Sequence, residues 1–187
     1  MKKKTVALLL ALVLVLGVAA GGTLAWLIDK TAPVTNTFTV GDINIELTES
    51  DGLDLKMVPS KTLAKDPKVT VKANSEACIL FVQITKSANY DSFLQEYAVA
   101  DGWMQLTGAG IPDKVYYRTV AATQADTEFQ VLAGNSVTVK SDVTKTQLNA
   151  LTPANYPTLT FTAYACQQLN GNTTFTPAEA WAKASAN

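Results

Sequence analysis

Residues 23–47 read Thr-Leu-Ala-Trp-Leu-Ile-Asp-Lys-Thr-Ala-Pro-Val-Thr-Asn-Thr-Phe-Thr-Val-Gly-Asp-Ile-Asn-Ile-Glu-Leu. Two unlike patterns meet here. To the left lies an uncharged apolar run behind a basic start. To the right, Phe38 and Val40 alternate with Thr, Gly41-Asp42 interrupts, and Ile43, Ile45 and Leu47 alternate with Asn44 and Glu46. A period of two is the signature of a half-buried strand. The junction therefore predicts an export leader, a short extended arm and an all-β domain.

The leader has three parts. Lys2, Lys3 and Lys4 are the basic region, residues 6–18 are the densest apolar part, and residues 19–23 are small. Thr23 and Ala25 place small side chains at −3 and −1 of a cut between Ala25 and Trp26, which a signal peptidase pocket requires sterically. The alternative is an uncleaved anchor, since residues 5–28 carry no charge and about 20 apolar residues span a bilayer. Either outcome places the remainder outside the cytoplasm, with the membrane touched only through the leader. No Cys follows the apolar run, which argues against a lipoprotein, and no sorting signal or second span is read at residues 182–187.

A cut after Ala25 leaves residues 26–187, 162 in all, enough for one domain with a sizeable core. Losing the three leader lysines turns 15 Lys+Arg into 12 against 16 Asp+Glu. A mildly acidic surface with one Arg, Arg118, does not suit nucleic acid, whose phosphates demand clustered cations. The chain has no His. That absence removes imidazole acid–base chemistry, Ser-His-Asp triads and His-ligated zinc. Ser and Thr are common, but no group is placed to activate one. No Gly-rich phosphate loop and no Cys-x-x-Cys occurs. No enzyme activity, cofactor or metal is expected.

Residues 26–36 form the arm: too short for a core, too apolar at Trp26-Leu27-Ile28 for a comfortable free tail. It is either a disordered terminus or a segment that seeks a partner groove, with Trp26, Leu27, Ile28, Val34, Phe38 and Val40 as its apolar anchors. Residues 37–187 are read as a single domain. Residues 49–60 are a loop whose Asp51 and Asp54 lack the spacing of a calcium loop. Residues 61–73, with Lys61, Lys65, Lys68, Lys72 and Pro67, suit an exposed edge strand or, less directly, a basic binding face. Residues 78–86 are apolar on both faces and belong at the centre of a sheet.

Residues 89–99 read as one or two helical turns. Strands are expected at 103–106, 115–120 and 158–167, and a hairpin over 128–140 turning at Ala133-Gly134-Asn135. Residues 142–151 read as a short helix capped by Asp142 or Thr144. Asn170-Gly171-Asn172 is a turn, and Asn172-Thr173-Thr174 matches a glycosylation sequon. Thr176-Pro177-Ala178-Glu179 opens a final helix with a capping box, Pro at the first helical position and Trp181 facing inward. Such spacing of short strands gives a β-sandwich, jelly-roll-like, with short connecting helices.

Two other readings concern side chains. Export permits a Cys78–Cys166 disulfide. Strand parity opposes it, because Cys78 shares a face with Leu80, Val82 and Ile84, whereas Cys166 shares one with Thr162 and Tyr164; the alternative is two small free thiols. Trp103, Tyr116, Tyr117 and Tyr164 form either a sugar-binding platform or ordinary core and rim aromatics.

The residues around the junction also carry a resemblance. Residues 21–29, Gly-Gly-Thr-Leu-Ala-Trp-Leu-Ile-Asp, resemble the leader read by the SipW-type signal peptidase. Residues 36–47 resemble the first strand of the TasA/camelysin family of proteins exported by Gram-positive bacteria, and looser similarity reaches residues 67–86, 115–118 and 163–181. The resemblance implies a jelly-roll sandwich and a role in biofilm-matrix fibres that grow by donor-strand exchange, the mature N-terminal arm of one subunit filling a groove in the next. Partners would be that peptidase, further copies or other matrix proteins. A secreted or anchored binding module for glycan is the competing role. Some family members are described as metalloproteases; a chain without His offers no ligand set for that.

N-terminal sequencing of protein recovered from culture medium is expected to start at Trp26. A chain starting at Met1 and confined to membranes would show the anchor instead.

Overall fold

Residues 78–86 read Cys-Ile-Leu-Phe-Val-Gln-Ile-Thr-Lys, with no Gly or Pro and three β-branched side chains among the apolar ones. In the structure, a computed structural model that describes residues 41–50, residues 55–186 and Lys3, they form the long strand β4 (Cys78–Lys86). Five consecutive residues, Cys78 to Val82, are at most 2% exposed. A strand buried on both faces needs neighbours on both edges and cover above and below. On its edges lie β6 (Val115–Val120) and β9 (Leu159–Gln167). With β5 (Met104–Leu106) they make an antiparallel sheet in the order β5-β6-β4-β9. The β4–β9 ladder runs the whole strand, from Cys78 opposite Gln167 to Lys86 opposite Leu159.

One face of this sheet meets further strands. Cys78, Leu80, Val82 and Ile84 share a core with Val69 and Val71 of β3 (Lys68–Val71), Leu63 of β2 (Thr62–Ala64) and Val137 of β8 (Ser136–Thr138). β3 lies between β1 (Ile45–Thr48) and β7 (Thr127–Gln130), and β2 pairs with β8. The one-turn helix α1 (Tyr90–Phe93) adds Tyr90 and Phe93, and the following chain adds Leu94 and Tyr97. The fold is all-β, its antiparallel sheets joined by short helices, and the described residues from Gly41 onward form one compact unit.

The other face is closed by α3 (Pro177–Ala184). Thr176 caps it: its Oγ1 accepts from the Glu179 N–H, and the Glu179 carboxylate accepts from the Thr176 N–H at 2.9 Å. Pro177 begins the helix, as the sequence predicts. Ala180 and Trp181 then lie over Ile79, Phe81, Leu106 and Val115. Trp181 meets Phe81 edge to face at 5.5 Å and Tyr164 at 5.1 Å. The other capped helix, α2 (Lys145–Asn149), takes its cap from Thr144 rather than Asp142, with Gln147 completing the box.

Two expectations are corrected. Residues 61–73 are not one edge strand. Pro67 is fully buried between β2 and β3, and β3 is the middle strand of its sheet. Its lysines are accommodated by carboxylates on the flanking chain: Lys68 Nζ lies 3.4 Å from Glu128, and Lys72 Nζ lies 3.2 Å from Glu46 and 2.8 Å from Asp126. Exposed pairs of this kind stabilise by no more than about 1 kcal/mol each. They permit the central position; Val69 and Val71 in the core hold it.

Nor do residues 128–140 form a hairpin. β7 pairs with β3, whereas β8 pairs with β2. Val131 and Leu132 are consecutive and both buried, which breaks the period of two. The Val131 N–H donates to the Pro67 carbonyl, and Leu132 bridges Val99. The chain is thereby handed from one sheet to the other, turning through Gly134 and Asn135, whose φ values are 64° and 48°. By contrast, β10 (Leu169–Asn170) and β11 (Thr173–Thr174) do pair around Gly171, at φ 63°.

Replacing Trp181 by Ala is expected to destabilise the fold by about 3–5 kcal/mol, and Thr176 by Ala by about 1 kcal/mol, both measured by urea denaturation. Equal losses at the two positions would contradict the closing role of Trp181.

Candidate acceptor groove

Among the described residues β2 takes no strand beyond β8, and β9 takes none beyond β4. Between the β2–β8 ribbon and the start of β9 the main core opens to the surface in a groove of about 790 Å³. Leu63 and Val137 line one wall because they are the inward residues of the ribbon. Leu148 and Leu151 line another, held there by the capped helix α2, and Leu159 begins β9. Large apolar side chains stand exposed at the rim, with Leu55 47% and Tyr156 52% accessible.

The polar groups of the groove differ in how they are satisfied. Lys65 Nζ lies 2.7 Å from the Glu49 carboxylate and 5.4 Å from the Phe161 ring centroid. Tyr90 forms part of the lining, but its hydroxyl is sealed without a hydrogen-bond partner. Burial pushes the Tyr90 hydroxyl up to about 12, so it stays protonated at neutral pH. A surface of this composition can bury apolar side chains and pair a backbone along its strand edges.

The predicted cleavage residues Ala25 and Trp26, and the arm residues Leu27, Ile28, Val34, Phe38 and Val40, lie outside the described residues, as do Asp51 and Asp54. The four aromatics proposed as a platform are not brought together. Trp103 is buried on the main-core side, with Nε1 donating to the Gln130 carbonyl at 2.8 Å. Tyr116 also belongs to that side, whereas Tyr117 and Tyr164 flank Trp181 on the opposite face. Asn172 sits in the exposed turn between β10 and β11. The groove itself was missed from sequence. Its signal was present in Leu55 and Met57, apolar residues inside the segment 49–60 read as a loop.

Among the described residues no cluster of three or more Cys, Asp or Glu side chains is arranged to hold a metal ion, and no helix is long and apolar enough to cross a membrane. No family model, no curated protein and no solved structure matches the chain.

Cys78 and Cys166 are both free. Cys166 stands opposite Ile79, and Cys78 opposite Gln167, so the thiols are one residue out of register. Cys78 enters the main core, while Cys166 lies beside Ile79 under α3. Burial pushes the Cys78 thiol up to about 11 and raises that of Cys166 as well. In the native protein at pH 8, iodoacetamide is expected to modify Cys166 first and Cys78 only as fast as the chain unfolds. An intact mass two protons short of the dithiol form would contradict the free-thiol assignment.

Proposed function

We propose that this chain is an exported structural subunit of an extracellular matrix or cell surface, released by a SipW-type signal peptidase and assembled through its N-terminal arm. The occupant of the groove is residues 26–40 of another copy. In this reading the facing sheets are those of a jelly-roll-like sandwich left open along one side. The observation that carries the proposal is the apolar groove between the β2–β8 ribbon and the start of β9, beside strands to whose outer sides no further strand is hydrogen-bonded among the described residues. An added strand satisfies such edges and drops alternate side chains into the groove.

The magnitudes are compatible. At about 3.3 Å per residue the segment 26–36 reaches about 36 Å, enough to leave its own domain and lie along a neighbour's. Burying Trp26 and Ile28, which share one face of an extended strand, gains roughly 1.5–3 kcal/mol each. Association costs on the order of 4–15 kcal/mol. Side chains alone therefore leave the contact marginal, and the backbone ladder decides it. A head-to-tail contact of this kind does not close on itself and makes a filament.

The test compares the chain starting at Trp26 with one starting at Thr37, by light scattering. The longer form is expected to polymerise and the shorter to stay monomeric. Leu151→Glu, at a half-buried wall position, is expected to block growth with the melting temperature retained. Equal polymerisation of both forms would remove the arm from the account.

A further inference from the structure

Arg118 is the chain's one arginine. It stands on β6 opposite Leu80, on the side that faces the main core. Its guanidinium carbon lies 3.9 Å from the ring centroid of Phe129 and 5.3 Å from that of Trp103. The Trp103–Gln130 hydrogen bond, 2.8 Å long, fixes the second ring. Gly102, at φ 86°, leaves room for the guanidinium: a Cβ there would come within 2.9 Å of Nη2. The side chain is thus held in one orientation by groups on two separate segments, 102–103 and 129–130.

What it lacks is a counter-ion. No carboxylate comes within ion-pair distance of Arg118 among the described residues, and no hydrogen bond satisfies it. Nε is sealed from solvent without a partner. Nη1 and Nη2 are not sealed, and the guanidinium borders an open cleft of about 440 Å³. Asp101 and Glu128 line the same cleft, beside Gln130 and Gly134. Glu128 also has Lys68 at 3.4 Å on its exposed side. A packing role alone would be served by Met or Leu, with none of the five N–H donors of a guanidinium to satisfy. Burial opposes the charge and lowers the affinity of Arg118 for its proton, and among the described residues only the Phe129 and Trp103 rings, not a paired carboxylate, offset that cost.

We infer that Arg118 anchors a small-ligand site for a carboxylate that carries a neighbouring hydroxyl or ammonium group. The carboxylate docks end-on against Nη1 and Nη2, the planar fork that suits it. The neighbouring donor hydrogen-bonds to Asp101 or Glu128, which would repel a bare anion. An acidic sugar and a free amino acid both present this chemistry. The site is distinct from the acceptor groove, and the chain starting at Thr37 carries it equally.

The test is calorimetric titration of the protein starting at Trp26, and of the form starting at Thr37, with glucuronate, glycine and acetate. At least one of the first two is expected to bind ten-fold or more tightly than acetate, and which one does so identifies the source. Arg118→Lys keeps the charge without the fork and is expected to lose that binding ten-fold or more while the melting temperature holds. Asp101→Asn and Glu128→Gln, at exposed positions, are expected to narrow the preference over acetate. If neither ligand exceeds acetate, or Arg118→Lys binds as the parent does, the assignment is overturned. Should Arg118→Lys fail to fold, an unchanged preference in both carboxylate variants overturns it equally.

Discussion

The two-sided burial of β4 is the constraint on which the molecule rests. A strand with Cys78, Ile79, Leu80, Phe81 and Val82 in succession has no face to show to water. It requires paired neighbours, and β6 and β9 supply them. It also requires two different covers. Even-numbered residues receive β1, β2, β3, β7 and β8, and odd-numbered residues receive Trp181 and Ala180 from α3. The ion pairs of Lys68 and Lys72 lie outside this arrangement and are its consequence.

The remaining surface divides by how completely it is satisfied. The centre of the sheets is finished, with valines at the inward positions of β3 and carboxylates around its lysines. The incomplete places are peripheral. One is the groove between β2 and β9, where the apolar side chains of the core reach the surface unpaired with any backbone. The other is the Arg118 cleft, where a cation is held by aromatic rings without an anion.

Much of this was legible in advance, and what was not has a physical reason. β4, β6 and β9 were readable because their alternation or continuous apolarity is local. The capping box of α3 was readable for the same reason: Thr176, Pro177 and Glu179 act within one turn. The pairing of β7 and β8 was not. Alternation says which side of a strand is apolar, not which strand lies beside it, and the hand-over at Val131-Leu132 is visible only as two buried residues in a row. β3 looked like an edge because Lys68 and Lys72 are normally costly at a sheet centre; the carboxylates that accommodate them come from residues 46 and 126–128, distant in sequence. Arg118 gave no sign at all. Trp103, read either as part of a sugar platform or as a core aromatic, is buried, with its ring 5.3 Å from the guanidinium carbon.

The contact between Phe81 and Trp181 joins residues 100 positions apart in the chain. Most of the strands are made before that contact can form, and one side of β4 stays bare until the closing helix arrives. Non-local closure of this kind is slow, and a bare apolar strand in a half-folded chain is a surface on which neighbouring chains stick. The order of synthesis therefore gives the newborn protein a period of vulnerability, and it ends only when a single indole ring takes its place.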